Sequence, residues 1–481
     1  MQKGIKKFED NFIASVRELF DRDVASYKFD GLLEIEDLAT ELTQSIGHRL
    51  IEEFVDSKSK EVKENNFHCK CCGGKLKKHR KSELEYRTTF GEINIDYDVY
   101  LYCDKCKQSI RPLQPLLGIK REKISFKLQK TIVDFGVDES GQKSSEKIKT
   151  HYPQVDIDRT KVIRVLHRHG EQARKFILNK LENEFKKFNS NESKTYALEL
   201  EVEYDGGMIP VGELEKCDSD ELTPVRKLPK RKKKCYWKEV KVGVVQGVND
   251  KNEDRLYSLR FTNELTESFD DLLALAHMQN WNENTHVRGI ADGAKYIKSR
   301  MEDTFDACDF KFILDRPHAK EHLGEAVIEL AKVKNIDKDE WFNEAFENIE
   351  TGKSDIVIDE LRKAGESIKL KQGNSAISKY NSDSKKILLR EANYFERNKD
   401  SIEYAKYREK GWSTASGEVE SGHRHIVQVR LKIPGAWWHP NNIPNILALR
   451  MLKANGWYEQ YWEWQKHNWI ENAKALKEIN Q

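Results

Sequence analysis

The chain has 481 residues, with 83 Lys plus Arg against 81 Asp plus Glu and a formal net charge of +2. That length is enough for roughly two to four domains, and the charge balance makes no global argument for a polyanionic partner, leaving that question to local clusters. No apolar run approaches the ~18 residues of a membrane helix, so neither a membrane span nor a membrane partner is expected.

Residues 1–66 read as a helical N-terminal region, with Phe12, Val16, Leu19 and Phe20 on one apolar stripe. The opening stretch MQKGIKKFEDNFIASVRELF mixes acids and bases at helical spacing and lacks the apolar centre of a signal peptide. A cytoplasmic location is therefore expected. In that setting the eight cysteines point to metal binding or free thiols rather than to a disulfide framework.

Residues 67–110 switch to cysteines, glycines and alternating strands. Cys69-x-x-Cys72 and Cys103-x-x-Cys106 are spaced as two metal knuckles, and two such pairs complete a tetrahedron of thiolates around structural Zn²⁺. A hairpin turning at Phe90-Gly91-Glu92 joins them, so the segment reads as a zinc ribbon. Cys71 is a spare thiol able to replace a neighbour. The basic run Lys75–Lys81 suits either phosphate contact or plain solvation. Cys217, Cys235 and Cys308 have no knuckle partners and read as ordinary thiols.

Residues 111–190 return to helices with a helix-turn-helix rhythm. A helix over 144–151 is followed by a turn at Pro153. Asp158 then caps a second helix bearing Arg159, Lys161, Arg164, His167 and Arg168. In DNA-reading motifs such a second helix turns its polar face to the major groove; otherwise the pair merely packs between domains.

Residues 191–320 alternate strand and helix, as an α/β domain does. YALELEVEYDGGMIPVG predicts two strands around a Gly206-Gly207 turn. Further strands are predicted at KEVKVGVVQGV, THVRGIADG and DFKFILDRPH, with a helix at ESFDDLLALAHMQNW. The basic run containing Lys230, Arg231 and Lys232 reads as an exposed loop, a DNA clamp or a solvated tract. Residues 321–410 show helices and no strand. Residues 411–481 open with a Gly/Ser-rich entry, run as a helix to Pro434 and end in a Trp-rich helix. Trp237, Trp437 and Trp438 are candidates for stacking on unpaired bases, whereas Trp457, Tyr458, Tyr461, Trp462 and Trp464 recur at helical spacing and read as core.

Three carboxylates stand out by position. Asp205 and Asp292 each follow a predicted strand and precede glycine, and Glu420 sits near the start of a late helix. A strand-end Asp, a later strand-end Asp and a helical Glu is the order found in RNase H-like nucleases. There the first and fourth strands are neighbours, and three acids hold two Mg²⁺ about 3.5–4 Å apart. Gly293 and Ala294 then read as residues small enough to leave room for metal, water and phosphate. Glu418 and Glu420 point about 200° apart on an α-helix, so one of them faces the Asp pair; His423, Arg424 and Val427 continue the face of Glu420. His318 is placed to shuttle a proton or contact the scissile strand, or simply to cap a helix, and Asp315 has the same ambiguity. His423, Arg424 and Arg430 add positive charge suited to a DNA backbone.

The chain resembles insertion-sequence DDE transposases of the Kra type, and more distantly the Mutator-like group. The carrying stretches are the cysteine module followed by TTFGEINIDYDVYLYC, then YDGGMIPV, WKEVKVGVV, IADGAKYI, ILDRPHAKEHL and SGEVESGHRHIVQVRLKIPGAWW…ILALRMLKANGWYEQYW. They cover roughly residues 65–465. The resemblance implies a five-stranded mixed RNase H-like sheet with helices, interrupted by an all-α insertion at 321–410. A helical N-terminus, the zinc ribbon and the helix-turn-helix-like segment precede it. It implies Asp205, Asp292 and Glu420 as the catalytic, Mg²⁺- or Mn²⁺-binding triad, with His318 assisting. Ala291 stands where family members carry Gly, Glu418 where they carry an apolar residue, and His318 follows Asp315 by one position more than in the relatives. The implied activity is metal-dependent cleavage at the ends of a mobile DNA element and transfer of the 3′ hydroxyls to target DNA. It would be carried out by a dimer or larger assembly on double-stranded DNA, in a prokaryotic, nucleoid-associated setting with no small-molecule substrate. A stand-alone nuclease shares every catalytic residue, and a silent DNA-binding descendant shares the fold.

Overall fold

The structure is a computed structural model of the chain. It describes residues 9–10, 12–14, 16–18, 20–21, 31–64, 66–69, 71–119, 123–188, 196–216, 231–248, 255–262, 264–368 and 376–480. Its contacts divide the chain into two units, Met1–His169 with Trp457–Gln481, and Gly170–Gly456. The segment expected at 411–481 is thus shared between them. Among the described residues no helix is long and apolar enough to cross a membrane.

In the first unit, helix α1 (Leu32–Glu64) packs on an antiparallel sheet of β1 (Lys77–Thr88), β2 (Gly91–Tyr102) and the short β3 (Ser109–Ile110). Strand alternation puts Leu84 opposite Ile95 and Tyr86 opposite Ile93, and these close on Val55 and Val62 of α1 and Leu113 of α2 (Leu113–Leu116). The hairpin turns at Thr89-Phe90, where the Thr88 hydroxyl donates to the Gly91 carbonyl and accepts from the Phe90 N–H. Gly91 itself holds φ +108°. Helix α3 (Phe126–Asp138) is capped by Ser125 and α4 (Gly141–His151) by Ser140. Asp158 accepts from Thr160 and Lys161 N–H at the start of α5 (Arg159–Phe188), as its position predicts. The last helix, α15 (Tyr458–Asn480), sets Trp462 and Trp469 edge-on against Phe126 and hydrogen-bonds Tyr461 to the buried His169. Trp457, Tyr461 and Trp462 are therefore core, as their spacing implies.

The second unit holds a five-stranded mixed sheet. In chain order its strands are β4 (Glu199–Lys216), β5 (Arg231–Gly247), β6 (Leu256–Arg260), β7 (His286–Ala291) and β8 (Asp309–Leu314), arranged β6-β5-β4-β7-β8. The first three form an antiparallel meander, while β7 runs parallel to β4 and β8 parallel to β7. Leu200, Val202 and Tyr204 face α6 (Thr266–Met278), with Tyr204 packed on Phe269. Helix α7 (Lys295–Thr304) links β7 to β8. Helices α8 (Arg316–Val333), α9 (Lys338–Glu350), α10 (Ser354–Ser367), α11 (Ala376–Arg397) and α12 (Tyr404–Glu409) follow, then α13 (Gly417–Gly422) and, after a π-helical segment, α14 (Ile443–Ala454).

Three sequence expectations change. Gly206 and Gly207 do not form a turn; they lie inside the single strand β4, where Gly206 faces the Glu239 side chain and Gly207 the His423 ring so closely that a Cβ would fall 1.7 and 2.5 Å away. Strand β6 was not expected, and it restores the count of five lost by merging the first two. The basic tract is not wholly a loop: Arg231–Lys234 begin β5 and pair with β4, and Lys234 meets Glu215 across the ribbon. Lys230 lies outside the described residues, as do Leu19 and Cys217.

Candidate functional site

The cysteine cluster is built from two matching loops. The Cys69 N–H donates to Gly74 O and the Gly73 N–H to Cys69 O; the Cys103 N–H donates to Gln108 O and the Lys107 N–H to Cys103 O. Each loop puts its fifth residue in the left-handed region, Gly73 at φ +65° and Lys107 at +56°. The Sγ atoms of Cys69, Cys72, Cys103 and Cys106 all lie within 4.8 Å of one another, close enough to share one metal ion such as Zn²⁺. Backbone N–H groups of Cys72 and Cys71 pull the Cys69 thiol down to about 7, whereas the neighbouring thiols push Cys106 up. Cys71 is exposed and stands outside this group.

The acids belong to the second unit. Tyr204 pairs with Ala291 and Ala291 with Leu314, so Asp205, Asp292 and Asp315 are the next residues on three adjacent strands, which are spaced about 4.8 Å apart. Burial pushes the Asp205 carboxyl up to about 6, and the charges of Asp292 and Asp315 push the same way against the Gly206 N–H and His318. Asp292 takes the Ala294 N–H on one oxygen, and its carbonyl accepts from Tyr394 Oη. Gly293 holds φ +75°, and a Cβ there would stand 2.3 Å from Leu314. Its smallness accommodates Leu314 and the left-handed turn, not a metal or a phosphate.

Asp315 resolves as a cap and a tie. One oxygen accepts from the His318 N–H, and the other from Ser416 N–H and Oγ at 2.7 and 2.9 Å. His318 is half-buried, with Nδ1 at 3.2 Å from Glu321. A second buried carboxylate, Glu203, accepts the Val419 N–H at 2.6 Å. Together these acids hold the first turn of α13 against β4 and the end of β8 and satisfy N–H groups that a helix cannot satisfy itself. Burial pushes Glu203 up to about 8.

Glu418 and Glu420 separate as their spacing predicts. Glu418 turns to Arg255 at 3.1 Å, while Glu420 is exposed with Arg424 at 3.4 Å. After Gly422 the helix widens into a π-helical segment, His423–Gln428, a form that recurs at functional sites. His423 is 4% exposed, and its Nε2 stands 3.8 Å from Asp205 Oδ2. Neither ring nitrogen has a hydrogen-bond partner, and burial holds the imidazole toward the neutral form. Among the described residues, the four cysteines are the only group of three or more metal-type donors lying within 4.8 Å of one another. Asp205, Asp292 and Glu420 do not form such a group: the two Asp follow paired residues of neighbouring strands, and Glu420 on the nearby helix turns to Arg424.

Several expected DNA contacts are otherwise engaged. His423 and Arg430 are buried, Arg430 beneath the Trp438 ring at 4.6 Å. Arg168 donates to Gln129 inside the first unit. Lys161 lies 3.7 Å from Asp158. Arg159, Arg164, Lys232 and Arg424 are exposed, and the Arg231 side chain lies outside the described residues. The acid ties Glu203 and Asp315, and the Tyr394 contact, were not singled out for these roles. ELEVEYD did carry a signal: acids at every second residue of a strand share one face, which needs a polar cover.

No protein-family model matches the chain, and no curated protein does.

Proposed function

We propose that the chain is a divalent-metal-dependent phosphoryl-transfer enzyme acting on DNA: a DDE transposase that cleaves the ends of a mobile element and joins their 3′ hydroxyls to target DNA. The observation that carries this reading is that Asp205 and Asp292 directly follow the paired residues Tyr204 and Ala291 of the parallel neighbours β4 and β7, with the Asp205 carboxyl raised first by burial and further by the charge of Asp292. Buried like charges are kept where a cation is to be bound.

The strand order β6-β5-β4-β7-β8, with the first and fourth strands adjacent, supports an RNase H-like core. The wholly helical described stretch from α8 to α12 supports reading 321–410 as an insertion before the acidic helix. Asp205, Asp292 and Glu420 offer hard oxygen donors of the kind Mg²⁺ and Mn²⁺ prefer. Bound there, the cations would activate the attacking oxygen and stabilise the leaving one. The chain's own part is to hold Asp205 between β7 and the His423 ring, and to carry Glu420 on a helix tied at Ser416 and Val419. Arg424, once Glu420 turns to the cations, becomes a phosphate contact. The cysteine cluster, with Zn²⁺ as a structural ion, and the exposed Arg159 and Arg164 of α5 would read the element end, with a homodimer or larger assembly pairing two ends.

The test is a strand-transfer assay with pre-cut ends and Mg²⁺ or Mn²⁺. Integration products that vanish in Asp205→Asn and Asp292→Asn support the proposal. Cleavage without joining would reduce it to a nuclease. DNA binding with no metal-dependent chemistry would favour the silent reading, for which the Glu420–Arg424 pairing is the one structural argument.

A further inference from the structure

Strands β4 and β5 outrun the sheet. Strand β7 pairs with β4 only as far as Tyr204, and β6 reaches β5 only at Lys241. Beyond these points the two continue as a ribbon, 206–216 against 231–241. Strand alternation puts Met208, Leu214 and Trp237 on one face of it, and all three are exposed, Trp237 to 52%. The loop after Pro434 adds a rung to its edge: Trp438 N–H donates to Pro210 O and Gly212 N–H to Trp438 O. That rung brings the exposed Trp437 beside Trp237, with ring centroids 6.4 Å apart at 62°. Gly212 makes the room, since a Cβ there would stand 3.1 Å from the Trp437 Cβ.

Two indoles fixed side by side, Trp237 about half exposed and Trp437 37% exposed, form an apolar patch that an occupant would cover. The charges indicate which. Lys233 lies over the Trp437 ring at 5.3 Å and Lys432 over Trp237 at 5.6 Å. Of the nearby acids, Glu215 meets Lys234 and Glu239 meets Lys241. Aromatic faces flanked by cations fit bases carried on a phosphate chain rather than an apolar protein surface. They suit unpaired bases, whose faces are free to stack.

We infer that Trp237 and Trp437, with Lys233 and Lys432, form a stacking platform for unpaired nucleotides. Trp237 pairs with Pro210, five residues along β4 from Asp205, or about 17 Å at strand rise. That odd offset puts Trp237 on the opposite face of the strand from Asp205, so the platform is a surface separate from the acids. This inference rests on the nucleic-acid reading above but not on its chemistry.

The experiment is fluorescence anisotropy of the full chain, without added Mg²⁺ or Mn²⁺. The probes are a labelled single-stranded oligothymidylate, its oligouridylate counterpart and a duplex of equal length. The variant Trp237→Ala/Trp437→Ala is expected to lose about tenfold or more in affinity for single strands and to keep its duplex affinity. Trp237→Phe/Trp437→Phe should recover most of the loss, because a smaller ring still stacks. Lys233→Ala/Lys432→Ala should weaken single-strand binding and lower its salt dependence with both rings in place. The tighter of the two single strands identifies DNA or RNA as the source. Unchanged single-strand affinity in the Ala variant, or equal loss on duplex and single strand, overturns the inference. So does a wild-type self-association, seen by size exclusion, that the Ala variant abolishes, because the patch would then belong to a second copy. Thermal unfolding checks the fold of each variant; should the Ala variant unfold, the Phe and Lys variants decide. Asp205→Asn, run alongside, is expected to bind single strands as the wild type does while losing metal-dependent chemistry, so the two proposals fail separately.

Discussion

Asp205 is a residue whose surroundings oppose its ionised form. Its carboxyl is pushed up to about 6 in the folded chain, against roughly 4 when unfolded. Below pH ~4 both states are protonated. As pH rises from about 4 to 6 the unfolded chain ionises first, so stability falls, and the full penalty stands above pH 6. Asp205→Asn is therefore expected to stabilise the metal-free protein at pH 8 by about 1–3 kcal/mol while abolishing metal-dependent chemistry, a pairing that denaturant titration and a cleavage assay would register together. An unchanged or lower stability in that variant would mean that burial and the neighbouring acids do not oppose the Asp205 charge. Gly207→Ala addresses the neighbouring contact: its Cβ would strike the buried His423 ring, at a cost of about 1–3 kcal/mol. The signals for Asp205 and Asp292 were readable because an Asp before glycine after a strand-like run is a local pattern, although Asp205 lies inside β4 rather than at its end. The use of the glycines was not, because Leu314, Glu239 and His423 reach them from remote segments.

At the scale of elements, α13 is held from outside. Asp315→Ala would remove the α8 cap and free Ser416 N–H and Oγ, costing about 2–4 kcal/mol in chemical unfolding. Glu203 makes a pH-dependent counterpart. With its carboxyl up to about 8, the unfolded chain again ionises first, so stability declines as pH rises from about 4.5 to 8. Glu203→Gln retains an acceptor for Val419 N–H and should flatten that decline, gaining about 1–3 kcal/mol at pH 9; a profile as steep as the wild type's would assign the titration elsewhere. The cysteine knuckles show how much a local pattern can carry. Their spacing, their glycine and their hairpin are all sequence-local, and the two loops match hydrogen bond for hydrogen bond. Lys107 is the exception, occupying the position that Gly73 fills in the other loop, and Lys107→Gly should relieve up to about 1 kcal/mol of backbone strain. By contrast β4 was split in two on paper, since a Gly-Gly pair resembles a turn until the partner strand on its far side is known.

Across the whole molecule, the cysteine cluster and the acids sit in different units, and this separates their responses. Removing Zn²⁺ with a chelator is expected to lower the thermal transition of the unit holding Cys69, Cys72, Cys103 and Cys106 and to leave the unit holding the five-stranded sheet near its original midpoint, as scanning calorimetry can resolve. A single transition that moves as one would show the two units to be coupled. The sequence by itself determined the two cysteine knuckles, the Asp158 cap and the alternation of strands with helices, because each depends on residues close together in the chain. Only the tertiary structure decided that Gly206 and Gly207 are points of close approach, that Asp315 and Glu203 tie a distant helix, that His423 and Arg430 are buried, and that Trp237 and Trp437 meet in the open. Those outcomes depend on which segments become neighbours after the chain has folded, and burial, desolvation and crowding are properties of neighbours rather than of sequence spacing.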